Sequence, residues 1–92
     1  MNANQLFVKT LDFKLASSSE HYLKSTCSRF EEGIEVTTYC WENKKLIIDV
    51  IGEECCFTAP GKNHIVFEFS LDEIEGVVDD LIREIDEVVI GF

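Results

Sequence analysis

The stretch LDEIEGVVDDLIREIDEVV, residues 71–89, constrains this chain more than any other. Leu71, Ile74, Val77, Val78, Leu81, Ile82, Ile85, Val88 and Val89 recur at helical spacing and, at about 100° per residue, fall on one continuous side. The rest of the circumference holds Asp72, Glu73, Glu75, Asp79, Asp80, Glu84, Asp86 and Glu87, and Arg83 is the one cation among them. Ser70 is placed as the cap, with Glu73 three residues later at the spacing of a capping box. A helix is therefore predicted over 71–89. Its apolar stripe needs a surface to bury it.

That surface is predicted to be a sheet. IEVTTYCW (Ile34–Trp41) is β-branched and aromatic, and LIIDVI (Leu46–Ile51) is its return strand across ENKK, where Asn43 suits a tight turn. Gly52 breaks or bulges the pattern before CCFTA (Cys55–Ala59). Pro60-Gly61 suits the centre of a type II turn, and HIVFEFS (His64–Ser70) alternates Ile65, Phe67 and Phe69 inward. Upstream, Phe7, Leu11, Phe13 and Leu15 alternate as in a strand. Leu6/Phe7, Thr10/Leu11 and Lys14/Leu15 also fit a helical stripe, but the strand is the better fit. Ser18 or Ser19 as cap, Glu20 in the first turn, Leu23, Cys27 and Phe30 on one face and Gly33 past the end predict a helix near 19–31. The order strand, helix, three or four strands, helix predicts one α+β domain over 1–92. It is a small antiparallel sheet of four to five strands with two helices on one face, the C-terminal one long and acidic.

Net charge is −10 and unevenly spread. Residues 1–30 carry four bases against two acids, whereas 31–92 carry sixteen acids against four bases. Such a field repels nucleic acid and anionic membranes and attracts basic protein surfaces. The opening MNANQLFVKT has neither the charged nor the apolar region of a signal peptide, and no run approaches a membrane span. The expectation is a cytoplasmic chain whose four cysteines are reduced.

An anionic helix face is most simply a solvated face. Here, however, like charges are neighbours: Glu75 faces Asp79 and Asp80 faces Glu84, each pair repelling by roughly a few tenths of a kcal/mol. Arg83, four residues from both Asp79 and Glu87, offsets part of this, while Asp86 and Glu87 oppose the helix dipole. Accepting such costs suggests that the field itself is useful. From Asp72 to Glu87 the helix rises roughly 22 Å, or about one net charge per 3 Å. One strand of B-DNA carries one phosphate per roughly 3.4 Å. A rigid helix of that density can imitate one edge of a duplex. Glu68 extends the ribbon, and Glu31, Glu32, Glu35, Glu53 and Glu54 lie near element ends.

Chemistry of other kinds is not indicated. Cys55, Cys56 and His64 lack structural-zinc spacing, and adjacent strand cysteines point to opposite faces. Cys27 and Cys40 sit in apolar patterns expected in the core. Neither His21 nor His64 has a nucleophile or phosphate-loop motif beside it, and Asp79-Asp80 lacks the frame of a calcium loop. The expectation is a non-enzyme without metal or cofactor.

The opening MNANQLFVKTLDFKL and the closing DEIEGVVDDLIREIDEVV resemble the Arn family, the anti-restriction nuclease proteins of T-even bacteriophages. The resemblance spans the whole chain. It implies a DNA-mimic inhibitor of the host restriction enzyme McrBC, which cuts DNA carrying modified cytosines. It also implies a homodimer in the cytoplasm of the infected bacterial host, and off-target binding to a histone-like nucleoid protein. The acids that would stand in for phosphates come from the helix reading: Glu68, Asp72, Glu73, Glu75, Asp79, Asp80, Glu84, Asp86 and Glu87. A second reading is an acidic module that binds a basic transcription or nucleoid regulator through a few apolar anchors such as Trp41, Phe57 or Phe92. A third leaves the charge incidental.

Overall fold

The Asn2 side chain accepts from the backbone N–H of Gln5 (2.8 Å), and the Gln5 side chain accepts from the Asn2 N–H (3.2 Å). This closed capping box starts a helix, α1 (Ala3–Ala16), where a strand was expected. Ala3, Phe7, Leu11 and Leu15 fall on its buried side at i,i+4 spacing. Phe13, predicted to share a face with them, is 78% exposed. Over this stretch, periods of two and 3.6 select overlapping residues, and the capping box decides between them.

The computed structural model describes residues 2–17 and 24–91. Five antiparallel strands follow α1: β1 (Ser25–Glu31), β2 (Ile34–Trp41), β3 (Leu46–Ile51), β4 (Glu54–Thr58) and β5 (Ile65–Glu68), hydrogen-bonded in that order. The helix α2 (Ile74–Val89) closes the fold, an α+β architecture as expected. The helix expected near 19–31 is corrected by β1; its capping serines and Glu20 lie outside the described residues. β1 is an edge strand exposed along its whole length, so no one-sided pattern marks it. Cys27, expected in the core, is exposed on it. Gly33, expected past a helix end, is instead the second residue of a hairpin turn. Glu32 (φ 54°) and Gly33 (φ 81°) both take the left-handed conformation that a two-residue type I′ turn requires.

The remaining turns follow from local chemistry. Glu42–Lys44 form one turn of 3-10 helix, and Lys45 rather than Asn43 takes the left-handed position (φ 53°). Pro60-Gly61 make the expected turn, closed by the Lys62 N–H on the Ala59 carbonyl at 3.2 Å, with Gly61 at φ 76°.

Registers set the faces. Thr37, Tyr39 and Trp41 pair with Val50, Ile48 and Leu46, and Phe57 and Cys55 continue the rows. Those side chains are buried against α1 and against Ile74, Val78, Leu81 and Ile85 of α2. Phe7 stacks on Phe69 with ring centroids 4.1 Å apart. The opposite face buries Val36 between Arg29 and Ile51 but exposes Ile34, Ile47, Ile51 and Val66. Across it, Arg29 donates to Thr38 (2.7 Å), which donates to Asp49 (2.5 Å).

The start of α2 also differs from expectation. Leu71–Glu73 form a turn and Glu73 is the cap residue. Leu71, expected on the buried stripe, is 58% exposed, so nothing apolar holds a turn of helix there.

The α1 assignment has a direct consequence. Phe7→Ala is expected to lower the unfolding free energy by about 3–5 kcal/mol. Phe13→Ala should stay within about 0.5 kcal/mol. Urea unfolding of the two variants measures both; equal losses would put both phenylalanines on one buried strand face.

Candidate functional site

Hairpin register gathers the acids. The end of the sheet that carries the β1–β2 and β3–β4 turns and the last residue of β5 holds Glu31, Glu32, Glu53, Glu54 and Glu68. Glu35 lies one residue inside it, opposite Phe30. Glu54 and Glu68 are direct cross-strand partners, which sets their Cβ atoms about 4.5–5.5 Å apart. Glu53, Glu54, Glu68, Phe69, Ser70 and Glu73 line an open cleft of about 540 Å3. Arg29 is the one base in the described residues of this end, and it is tied to Glu31 at 2.9 Å.

Both helices begin here. Asn4, in the first turn of α1, donates to the Gly52 carbonyl at 2.9 Å, and the α2 cap Glu73 lines the cleft. The positive dipole ends of both helices offset part of the repulsion among the carboxylates. Ser70 Oγ, expected as the α2 cap, is corrected to a different role. It lies 2.7 Å from a carboxylate oxygen of both Asp72 and Glu73 and shares its one proton between them. That hydrogen bond, followed by one from its own backbone amide, holds the Asp72 carboxyl below its ordinary value. Phe69 N–H donates to the Glu53 carbonyl at 3.0 Å and pins the acidic turn to the start of α2.

Further along α2 the charge is compensated. Lys14 of α1 pairs with Asp79, and Lys62 of the β4–β5 turn pairs with Glu84 (3.0 Å) and with Glu87. Arg83 pairs with Asp80, three residues back, and not with Asp79 or Glu87. Among the described residues, Lys14, Lys62 and Arg83 thus reach Asp79, Asp80, Glu84 and Glu87, where the helix itself supplies one base. Asp86 is half-buried. Glu68, Asp72 and Glu73 belong to the acidic end, Glu75 lines a groove of α1 with Lys9 and Lys14, and Asp79, Asp80, Glu84 and Glu87 lie along an ion-paired flank. Neither lysine was legible from the helix, since Lys14 is 65 residues from Asp79 and Lys62 is 22 from Glu84. Glu53 and Glu54 were expected near an element end; that they join Glu31 and Glu32 follows from the meander, whose alternate hairpin turns fall at the same sheet end.

The far end carries Lys44, Lys45, Lys62 and His64, with Lys24 at the start of β1. Glu42 in the β2–β3 turn and the Glu84 and Glu87 partners of Lys62 lie there too, so this end mixes signs where the other is almost wholly acidic. His64 Nδ1 lies 3.1 Å from Thr58 Oγ1 at that end. Burial pushes the Cys55 thiol up. Burial first, and then the Glu54 and Asp49 charges, raise Cys56, so thiolate is disfavoured at both. Among the described residues, no group of three or more His, Cys, Asp or Glu is set to hold a metal ion, and no helix is long and apolar enough to cross a membrane. What the arrangement offers is fixed, closely spaced negative charge on a hydrogen-bonded frame. No family model, curated protein or solved structure matches the chain.

The Lys62 tie predicts a pH window. Glu87 is lowered, mainly by its hydrogen bond from Lys62, and Lys62 is raised, mainly by Glu87 and then Glu84. A lowered carboxylate contributes stability above its ordinary value and loses it as pH falls through its folded value. A raised ammonium contributes below its ordinary value and loses that as pH rises through its folded value. The stability difference between the wild type and Lys62→Met should be constant near neutrality. It should shrink below the ordinary Glu87 value of 4.5 and again above the ordinary Lys62 value of 10.5, read by urea unfolding at each pH.

Proposed function

We propose that this chain is a DNA-mimic inhibitor of a host restriction nuclease of the modified-cytosine-dependent McrBC type. It acts by stoichiometric competition in the cytoplasm of the infected bacterium. The observation that carries the reading is the convergence of carboxylates from three separate segments, 31–35, 53–54 and 68–73, on one end of the sheet. A protein that only needed solubility would intersperse signs and avoid placing Glu54 opposite Glu68. The resemblance to the anti-restriction nucleases supplies the target and the homodimer; the charge arrangement supports binding to a basic groove.

The acidic end, with Glu53, Glu54, Glu68, Asp72 and Glu73, is the primary partner-binding surface, and Glu75, beside Lys9 and Lys14, counts with the flank that follows. The ion-paired acids Asp79, Asp80, Glu84 and Glu87 and their neighbour Asp86 form a secondary flank. Carboxylates would pair with Lys and Arg of the nuclease in place of phosphates, which steers fast association and makes affinity fall with salt. No bond is made or broken.

The second reading, an acidic module for a basic transcription or nucleoid regulator, loses two of its expected anchors. Trp41 and Phe57 are buried in the core, and Phe92 lies outside the described residues. It regains weight from other apolar residues exposed beside the acids, Phe30 and Leu71 among them.

Titration into an McrBC cleavage assay on methylated DNA, at low and moderate salt, tests the proposal. Wild type should saturate near one equivalent of binding sites and weaken as salt rises. Combined Glu53→Gln, Glu54→Gln, Glu68→Gln and Glu73→Gln should abolish most of the inhibition, and combined Asp79→Asn, Asp80→Asn and Glu84→Gln much less. Absence of inhibition by the folded wild type would remove McrBC as the target.

A further inference from the structure

The outer strands of a sheet each present one row of backbone groups to whatever lies beside them. The two outer strands here, β1 and β5, differ in how far they do so. β5 is four residues long, short enough to blunt an edge. β1 runs for seven residues, pairs with β2 residue for residue without a bulge, contains no proline and is exposed throughout. Its turn decides which backbone groups face outward. A two-residue type I′ turn closes on a hydrogen-bonded pair, here Glu31 with Ile34, and the pairs alternate from there. Arg29, Cys27 and Ser25 therefore direct their N–H and C=O groups to β2, and Phe30, Ser28 and Thr26 direct theirs outward. An open edge is commonly guarded by a charged side chain reaching over it. Arg29, the one base within β1, instead turns back over its own sheet to Thr38 and along it to Glu31. The strand is also stiffened from behind by the Ser28–Thr37 hydroxyl contact at 3.1 Å.

Charge selects what fits this edge. The chain carries −10, so two copies meet with least repulsion where acids are few. Residues 24–30 hold Lys24 and Arg29 and no acid, with Glu31 and Glu32 immediately beyond. Antiparallel pairing about Ser28 matches the outward groups of Thr26, Ser28 and Phe30 to those of Phe30, Ser28 and Thr26 of a second copy, and uses all seven residues. It also brings the Glu32 end of each strand to the Lys24 end of the other, a contact of opposite signs that the two-fold axis makes twice. We propose that β1 is a self-pairing strand. Two copies join edge to edge, antiparallel and centred on Ser28, so that their five-stranded sheets become one and the helices of both cover the same face. The exposed Phe30 ring then lies against Thr26 of the second copy. β5, too short to repeat the contact, ends the assembly at two copies. The pairing gives the homodimer of the proposed function its interface, and it rests on the edge geometry rather than on the nuclease as target. The acidic ends of the two copies point in opposite directions along the strands, so each offers its surface separately and not as one longer ribbon.

Sedimentation equilibrium of the full chain tests the pairing, with circular dichroism confirming that each variant folds. Wild type should sediment at twice the chain mass of 10.5 kDa. Ser28 meets its own copy at the two-fold axis, so a charge placed there meets itself. Ser28→Lys and Ser28→Glu should each raise the dimer dissociation constant about 5-fold, and an equimolar mixture of the two should return it to the wild-type value or below. Recovery on mixing shows that neither variant lost the dimer by misfolding. Thr26→Pro removes an N–H that faces outward and none that faces β2, and should abolish the dimer while the monomer stays folded. A wild-type dimer unmoved by Ser28→Lys, Ser28→Glu and Thr26→Pro overturns the β1 pairing and leaves the homodimer standing. Weakening without recovery on mixing overturns the pairing centred on Ser28. Monomeric wild type overturns the pairing and the homodimer together. The acidic surface is judged apart from all of these, by the cleavage assay with its own charge variants.

Discussion

Pairing of Tyr39 with Ile48 and of Trp41 with Leu46 sets everything built on the sheet. Side chains alternate across a strand, so a slip of one residue in this register would turn the large core side chains to the open face. In the observed register Tyr39, Ile48 and Phe57 form one row and Thr37, Val50 and Cys55 the next, and the two helices bury them. The same register fixes which residues end each strand. Glu54 meets Glu68, and the β1–β2 and β3–β4 turns lie at one end. The acidic end is thus a by-product of the pairing that makes the core, and moving it would mean refolding the sheet.

Concentrating carboxylates there opposes folding, and two local features offset it: both helices direct their N-termini to this end, and Ser70 hydrogen-bonds two of the acids. A helix terminus favours a nearby carboxylate by about 0.3–1 kcal/mol, similar in size to the cost of a cross-strand like-charge pair. The arrangement is tolerable rather than stabilising. That balance is consistent with a surface kept for binding, where a basic partner would relieve the repulsion that the free protein carries.

Legibility followed burial. β2, β3 and the turn at Pro60-Gly61 matched expectation because one side of each strand is covered, which writes a period of two into the residues. β1 is covered on neither side and left no such trace, so Leu23, Cys27 and Phe30 suggested a helix instead. At the N-terminus the information was present: Asn2 and Gln5 spell a capping box, and Phe7, Leu11 and Leu15 a helical stripe. The alternation through Phe13 outweighed them.

Local sequence determined the acidic, one-sided character of the C-terminal helix, the hairpin strands at its back and the absence of spacing suited to familiar chemistry. These depend on periodicity and near neighbours, which a linear chain records. Tertiary structure alone decided which acids act together. Lys14 and Lys62 reach α2 from other elements and neutralise much of its flank, while Glu53, Glu54 and Glu68 meet through strand pairing. Charge interactions depend on distance in space, and the registers that set those distances are fixed by the core rather than by the charged residues themselves.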